Sequence, residues 1–197
     1  MASPRRIGAP DSKTRAQLLD AAEQLMLEEG YAAATSRRVA ARAGLKPQLV
    51  HYYFRTMDDL FIEVYRRRAE QNLQRYERAL AGDRPLRAIW EIAIDPRGTA
   101  FTMEFAALAN HRKAIRAEIA RTDRRYRAMS SDAIAAVLQR AGVPPETCTP
   151  ITLLLGMTGI SFVLVHERAL GITEGHGDTV ALVERYLDLL EKEPAAT

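Results

Sequence analysis

Apolar positions along this chain recur at steps of three and four, and no stretch alternates one by one, so the pattern predicts an all-α protein. From Ser12 to Glu29, Leu18, Ala22, Leu25 and Met26 keep helical spacing until Gly30 stops the run. The stretch from Thr35 to Leu60, TSRRVAARAGLKPQLVHYYFRTMDDL, spells two short helices joined by a tight turn, followed by the start of a third. Val39, Ala40 and Ala43 place small apolar groups on one face of the first. Gly44 stands just past its end, where a left-handed backbone is cheap only for glycine. Pro47 suits the first turn of the next helix, where its missing N–H costs no hydrogen bond. Inside that helix Val50 and Phe54 point to a core, which leaves Gln48, Leu49, His51, Tyr52 and part of Tyr53 on the outer side.

Thr56 and Asp59 make a variant capping box that opens a helix running to about Ala81, with Leu60, Phe61, Val64, Tyr65, Leu73, Tyr76 and Leu80 on it. At ~1.5 Å per residue it is long enough to link two domains. Beyond the Gly82–Pro85 break, a helix is expected from Leu86 to Ile94. Asp95–Gly98 has the composition of a turn. An apolar helix Thr99–Asn110 and a charged one to Ala141 follow, the latter ended by Gly142-Val143-Pro144-Pro145. Pro150–Leu170 is apolar on nearly all sides, Gly171–Asp178 is a loop, and a last amphipathic helix carries Val180, Val183, Tyr186, Leu187 and Leu190. The expected organisation is a disordered basic arm over residues 1–10, a helix-turn-helix domain over 11–57, and a helical domain over 58–197.

Helix, glycine turn, helix is the layout that sets a recognition helix into the DNA major groove. The specific pieces are TRAQLLDAAEQLMLEEGYAAAT, then VAARAGL, then LVHYYF, then DDL at the start of the long helix. In that order and spacing they resemble the N-terminal domain of the TetR family of bacterial transcriptional regulators. The resemblance implies a ligand-responsive homodimer, usually a repressor, that binds a palindromic DNA operator and is released by a small-molecule effector. Members usually carry a small hydroxyl residue where this chain has Lys46, commonly a tyrosine at His51, a lysine at Met57 and an acidic residue at Arg38. Those departures move the basic character of the DNA-facing surface without removing it.

Residues expected to meet DNA are Thr35, Ser36 and Arg37 at the start of the second helix, and Lys46, Pro47, Gln48, Leu49, His51, Tyr52, Tyr53, Arg55 and Thr56 on and after the third. Glutamine can pair with adenine, and aromatic or apolar groups can meet a thymine methyl. Tyr53 is equally at home in the core beside Phe54, and Thr35 and Ser36 are natural N-caps. A net charge of +3 is too mild to indicate nucleic acid by itself. In the C-terminal region, where the family keeps its pocket, Trp90, Phe101, Met103, Phe105, Met129, Met157 and Phe162 offer bulky apolar surface. Glu104, Asn110, Tyr126 and His166 could orient a mostly apolar ligand there, although for each of these residues ordinary core packing or capping is the plainer role.

The single cysteine, Cys148, excludes an intrachain disulfide and suits a reducing cytoplasm. Met1–Pro10 lacks the apolar core of a signal peptide, and the apolar run Ile151–Val165 is shorter than a ~20-residue membrane span. A cytoplasmic protein without membrane attachment is therefore expected. Enzyme chemistry finds no support: the four histidines lack metal-ligand spacing, no Gly-rich phosphate loop follows a strand, and neither metal nor cofactor is implied. The competing reading is a helical ligand- or protein-binding module without DNA-binding function.

Overall fold

The computed structural model describes residues 12–192, and the expected N-terminal arm, with Arg5 and Arg6, lies outside them. Among the described residues there are nine α-helices and no strand: α1 Lys13–Glu29, α2 Ser36–Arg42, α3 Pro47–Tyr53, α4 Met57–Leu80, α5 Pro85–Ala93, α6 Pro96–His111, α7 Lys113–Arg140, α8 Pro150–Ala169 and α9 His176–Leu190. A 3-10 turn, Tyr31–Ala33, stands between α1 and α2.

Side-chain caps set several starts. Ser12 Oγ accepts the Arg15 N–H at 3.1 Å, Thr35 Oγ1 that of Arg38 at 3.4 Å and Thr149 Oγ1 that of Thr152 at 3.2 Å. The capping box at α4 is reciprocal, with Thr56 N–H donating to Asp59 Oδ2 and Asp59 N–H to Thr56 Oγ1, both at 3.1 Å. Gly30 and Gly44, at φ 82° and 67°, end α1 and turn the chain between α2 and α3.

Two starts differ from the sequence expectation. The segment Asp95–Gly98 is not a free turn: Asp95 Oδ1 accepts the Arg97 N–H at 3.1 Å and α6 begins at Pro96. Proline and aspartate read as turn-formers, yet they equally open a helix. The last helix also begins earlier, at His176, because left-handed Gly175 (φ 76°) aims the chain directly into it.

The chain forms two compact units, and they are not sequential halves. The described part of the first is residues 12–70 with 100–120; that of the second is 71–99 with 121–192. Alpha-helices α4, α6 and α7 each contribute to both. The first unit has a core of Leu18, Leu25 and Met26 from α1, Val39 and Ala40 from α2, Val50 from α3, Leu60 and Val64 from α4, Phe101, Phe105 and Leu108 from α6, and Ile115 from α7. Its late-chain contribution is aromatic: Phe105 lies 4.5 Å from Phe101 and 5.2 Å from Tyr65, ring centre to ring centre. The second unit buries Leu86, Ile89 and Trp90 of α5 with Ile134, Val137 and Leu138 of α7, Leu154, Met157 and Leu164 of α8, and Leu187 of α9.

Alpha-helix α8 has 20 residues and is long and apolar enough to cross a membrane by length and composition, with 28% of that window buried. The apolar run counted in the sequence is shorter because Thr149 and Pro150 start the helix earlier and His166, Glu167 and Arg168 continue it.

Candidate nucleic-acid interface

Alpha-helices α2 and α3 are too short to be stable alone and take their order from the core below them. Val39 and Ala40 are fully buried from α2, and Val50 of α3 and Phe54 just past its end are buried from the other side. That anchoring decides what faces outward. Pro47, Gln48, His51 and Tyr52 are exposed, as are Lys46 before α3 and Arg55 and Thr56 after it. Tyr52 stands edge-on to Tyr53 with ring centres 5.0 Å apart. Tyr53 itself is half-buried and packs against the first core, and Leu49 is half-buried. The outer face of α3 therefore presents one amide, one imidazole and one phenol, a set able to read base edges and touch phosphates.

The cations around this face divide into two groups. Arg38 Nη2 donates to both carboxylate oxygens of Glu29, at 2.7 and 2.6 Å, and Arg42 holds Glu28 at 2.7 Å and Glu29 at 3.6 Å. Chiefly through the Arg38 hydrogen bonds, the Glu29 carboxyl is held below the usual carboxylate range. These exposed pairs brace α2 on the end of α1 more than they add stability. Arg37, Lys46 and Arg55 are exposed and make no ion pair among the described residues, so their charge is open to a polyanion. Thr35 uses its hydroxyl as the α2 cap, and Ser36 beside it is half-buried.

Several contacts that brace this reader come from far along the chain, and none was foreseen in the sequence. Glu104 of α6 accepts the backbone N–H of Tyr31 at 2.8 Å. Arg112, between α6 and α7, pairs with Asp58 in the first turn of α4. Arg66 donates to buried Glu118 at 3.0 Å, a hydrogen bond that drives its own pKa above the ordinary arginine value. Sequence separations of 52 to 73 residues leave no periodic signal by which to find them.

The residues proposed from sequence as ligand lining divide between the two units. Phe101 and Phe105 are buried in the first unit, and Glu104 between them is engaged by Tyr31. Met103 is half-buried and Asn110 exposed. Trp90 and Met157 are buried in the second unit's core, and Tyr126 packs against it. Tyr126 lies with its ring centre 4.5 Å from that of Tyr76, and burial is the main cause raising the pKa of both phenols. Met129 is half-buried on the same helix as Tyr126. Trp90 Nε1 is buried there without a hydrogen-bond partner, whereas the Tyr126 hydroxyl has those of Tyr76 and Ser130 within hydrogen-bonding reach. Phe162 is 45% exposed and stacks on His166 at 6.0 Å, away from that core.

Among the described residues no group of three or more His, Cys, Asp or Glu side chains is placed to hold a metal ion. Cys148 is half-buried, with Sγ 3.6 Å from the Thr149 carbonyl oxygen.

Residues 18–64 match the family model described as bacterial regulatory proteins, tetR family. No protein of curated function matches the chain. Solved structures are similar over nearly their whole length. A transcriptional regulator from Rhodococcus sp. Rha1 superposes with a TM-score of 0.64 at 24% identity, covering 90% of this chain and 93% of that one. FadR from Bacillus subtilis, solved in complex with stearoyl-CoA, gives 0.66 at 19% identity over 91% and 98% of the two chains. A TetR transcription regulator from Haloarcula marismortui gives 0.67 at 20% identity over 89% and 96%.

Proposed function

We propose that this chain, whose residues 18–64 match the tetR family model, is a transcriptional regulator that represses from a palindromic DNA operator as a homodimer and is released by a mostly apolar effector. The observation carrying the DNA reading is the outer face of α3, where Gln48, His51 and Tyr52 are exposed while Val50 anchors the helix beneath. Arg37, Lys46 and Arg55 then supply phosphate contacts that hold the register, and Gln48 and Tyr52 read bases. Cations without an ion pair among the described residues, flanking so exposed a short helix, favour this reading over a module without DNA-binding function.

The test is selection of duplexes from a random library by the wild-type protein, followed by binding of the selected site. The recovered site is expected to be near-palindromic, with half-sites one helical turn, ~34–36 Å, apart or a multiple of it. Gln48→Ala and Tyr52→Ala should each cost about 1–3 kcal/mol on that site while leaving affinity for random duplex unchanged. Wild-type operator affinity in both variants would remove α3 as the reading helix.

Homodimerisation is supported by two apolar stripes that the second unit leaves uncovered. On α8, Leu155, Gly159, Phe162 and His166 follow one helical line, and nothing lies within 4 Å of a Cβ placed on Gly159. On α9, Leu182, Tyr186 and Leu189 do the same, 46%, 61% and 60% exposed, opposite the face that packs inward through Leu187. Two such helices from each subunit make a four-helix interface about a twofold axis.

The effector reading places the ligand in the second unit, near Trp90, Tyr76, Tyr126, Ser130 and Met157. A buried donor without a partner costs about 1–3 kcal/mol, and an acceptor oxygen on an apolar molecule would answer that of Trp90 Nε1. A long-chain acyl compound has that chemistry, and the Bacillus subtilis neighbour was solved with stearoyl-CoA. Titration with stearoyl-CoA should change the emission of Trp90, the single tryptophan, and weaken operator binding. A ligand that binds both DNA-competent and incompetent forms equally shifts nothing. Emission change with unaltered operator affinity would therefore defeat the coupling and leave the DNA reading intact.

A further inference from the structure

We propose that Glu104 is a positioning residue for DNA reading: from α6 it fixes the corner between α1 and α2 and so sets how α2 and α3 stand. The proposal rests on the reading of α3 as the base-reading helix. That corner is short and rigid. Gly30 N–H donates to Met26 O at 3.0 Å, Ala33 N–H to Gly30 O at 3.1 Å, Ala34 N–H to Tyr31 O at 3.1 Å and Thr35 N–H to Ala33 O at 2.9 Å, and α2 starts one residue later. The N–H of Tyr31 opens the 3-10 turn, where no carbonyl within that turn can reach it. Glu104 Oε2 accepts it at 2.8 Å, and a Cβ placed on Gly30 would meet the same carboxylate at 3.7 Å. A carboxylate at the start of a helical turn also meets the positive end of its dipole.

What delivers the carboxylate there is a locked helix. Phe101 and Phe105, three residues before Glu104 and one after it, are 4% and 1% exposed in the first core. They fix the rotation of α6 and hence where Glu104 points. A second tie closes the other end of the reader, since Arg112 past the end of α6 pairs with Asp58 at the start of α4. The helix-turn-helix thus lies in sequence between two points, Tyr31 and Asp58, both held from the α6 region. Displacement of α6 along its axis would withdraw the acceptor from Tyr31 and tilt the corner without touching any DNA-facing side chain.

The experiment compares Glu104→Ala, Glu104→Gln and wild type in the full chain. Readouts are hydrogen exchange at the Tyr31 amide, thermal midpoint, and affinity for the selected operator and for random duplex. Glu104→Ala should speed exchange at Tyr31 at least tenfold and weaken the operator about tenfold, with random duplex within twofold of wild type. Glu104→Gln keeps an acceptor oxygen and should restore operator affinity to within threefold. A purely structural role would lower the midpoint and weaken both duplexes alike, or leave the glutamine variant no better than alanine; either result overturns the proposal. So does unchanged Tyr31 exchange in Glu104→Ala, or fast exchange with wild-type operator affinity. If Glu104→Ala folds poorly, Glu104→Ser, too short to reach Tyr31, takes its place. A wild-type protein that binds no duplex would sink the DNA reading itself, a failure distinct from these and fatal to the proposal with it.

Discussion

Charging the uncovered stripes of α8 and α9 should yield a folded monomer that has lost its operator. Phe162→Glu with Leu182→Glu puts one carboxylate on each stripe, at side chains 45% and 46% exposed in the single chain. Substitutions at such positions disturb little of the subunit's own core. In a dimer both charges would be buried without a partner, which costs far more than the lost apolar contact. Light scattering should then report about 22 kDa, the mass of one chain, with helical circular dichroism retained. Operator affinity should fall by roughly 100-fold or more, because two linked half-site contacts typically gain ~10²–10⁴ over one. Random duplex, bound through phosphates alone, should be less affected. A variant that stays dimeric would locate the interface elsewhere.

The second large effect is on stability. Phe105→Ala removes a ring that is 1% exposed and stacked among Phe101 and Tyr65. Leaving that volume unfilled should cost about 3–5 kcal/mol, a large part of the ~5–15 kcal/mol that holds a typical domain together. Urea unfolding followed by circular dichroism should show the transition move down with little change in its steepness. Phe105→Leu, which keeps most of the volume, should lose much less. A change below about 1 kcal/mol in Phe105→Ala would mean that Phe105 is not part of a packed core, and would revive it as a ligand-facing residue.

What the sequence made legible was local. Glycines at 30 and 44, Pro47 and the Thr56–Asp59 box each act within four residues of themselves, so the helices of the reader could be placed to within a residue or two. Val50 and Phe54 alone placed Gln48, His51 and Tyr52 outward, whereas Leu49, also expected outward, is half-buried. Where local chemistry had two meanings, the expectation slipped, as at Asp95-Pro96, which opens α6 where a turn was expected. The use of Glu28 and Glu29 to occupy Arg38 and Arg42 was out of reach for a different reason. The partners meet across a bend, 9 and 14 residues apart, and no helical spacing records that. The pocket candidates were legible only as interior residues. Bulk and polarity mark Trp90, Phe101, Phe105 and Tyr126 as interior, but only the three-dimensional path of α6 assigns the two phenylalanines to one core and the tryptophan to another.

That path of α6 also bears on how the protein is made. The family match stops at residue 64, inside α4, yet Phe101, Phe105, Leu108 and Ile115 from later in the chain complete the first core. Synthesis at ~5–20 residues per second separates Val64 from Ile115 by a few seconds. During that interval the apolar faces of α1 and α4 emerge from the ribosome without the rings that will cover them. Apolar surface exposed in this way favours aggregation until it is covered. The first core is complete only when the middle of the polypeptide arrives, so a chain released before then lacks the rings that α1 and α4 pack against.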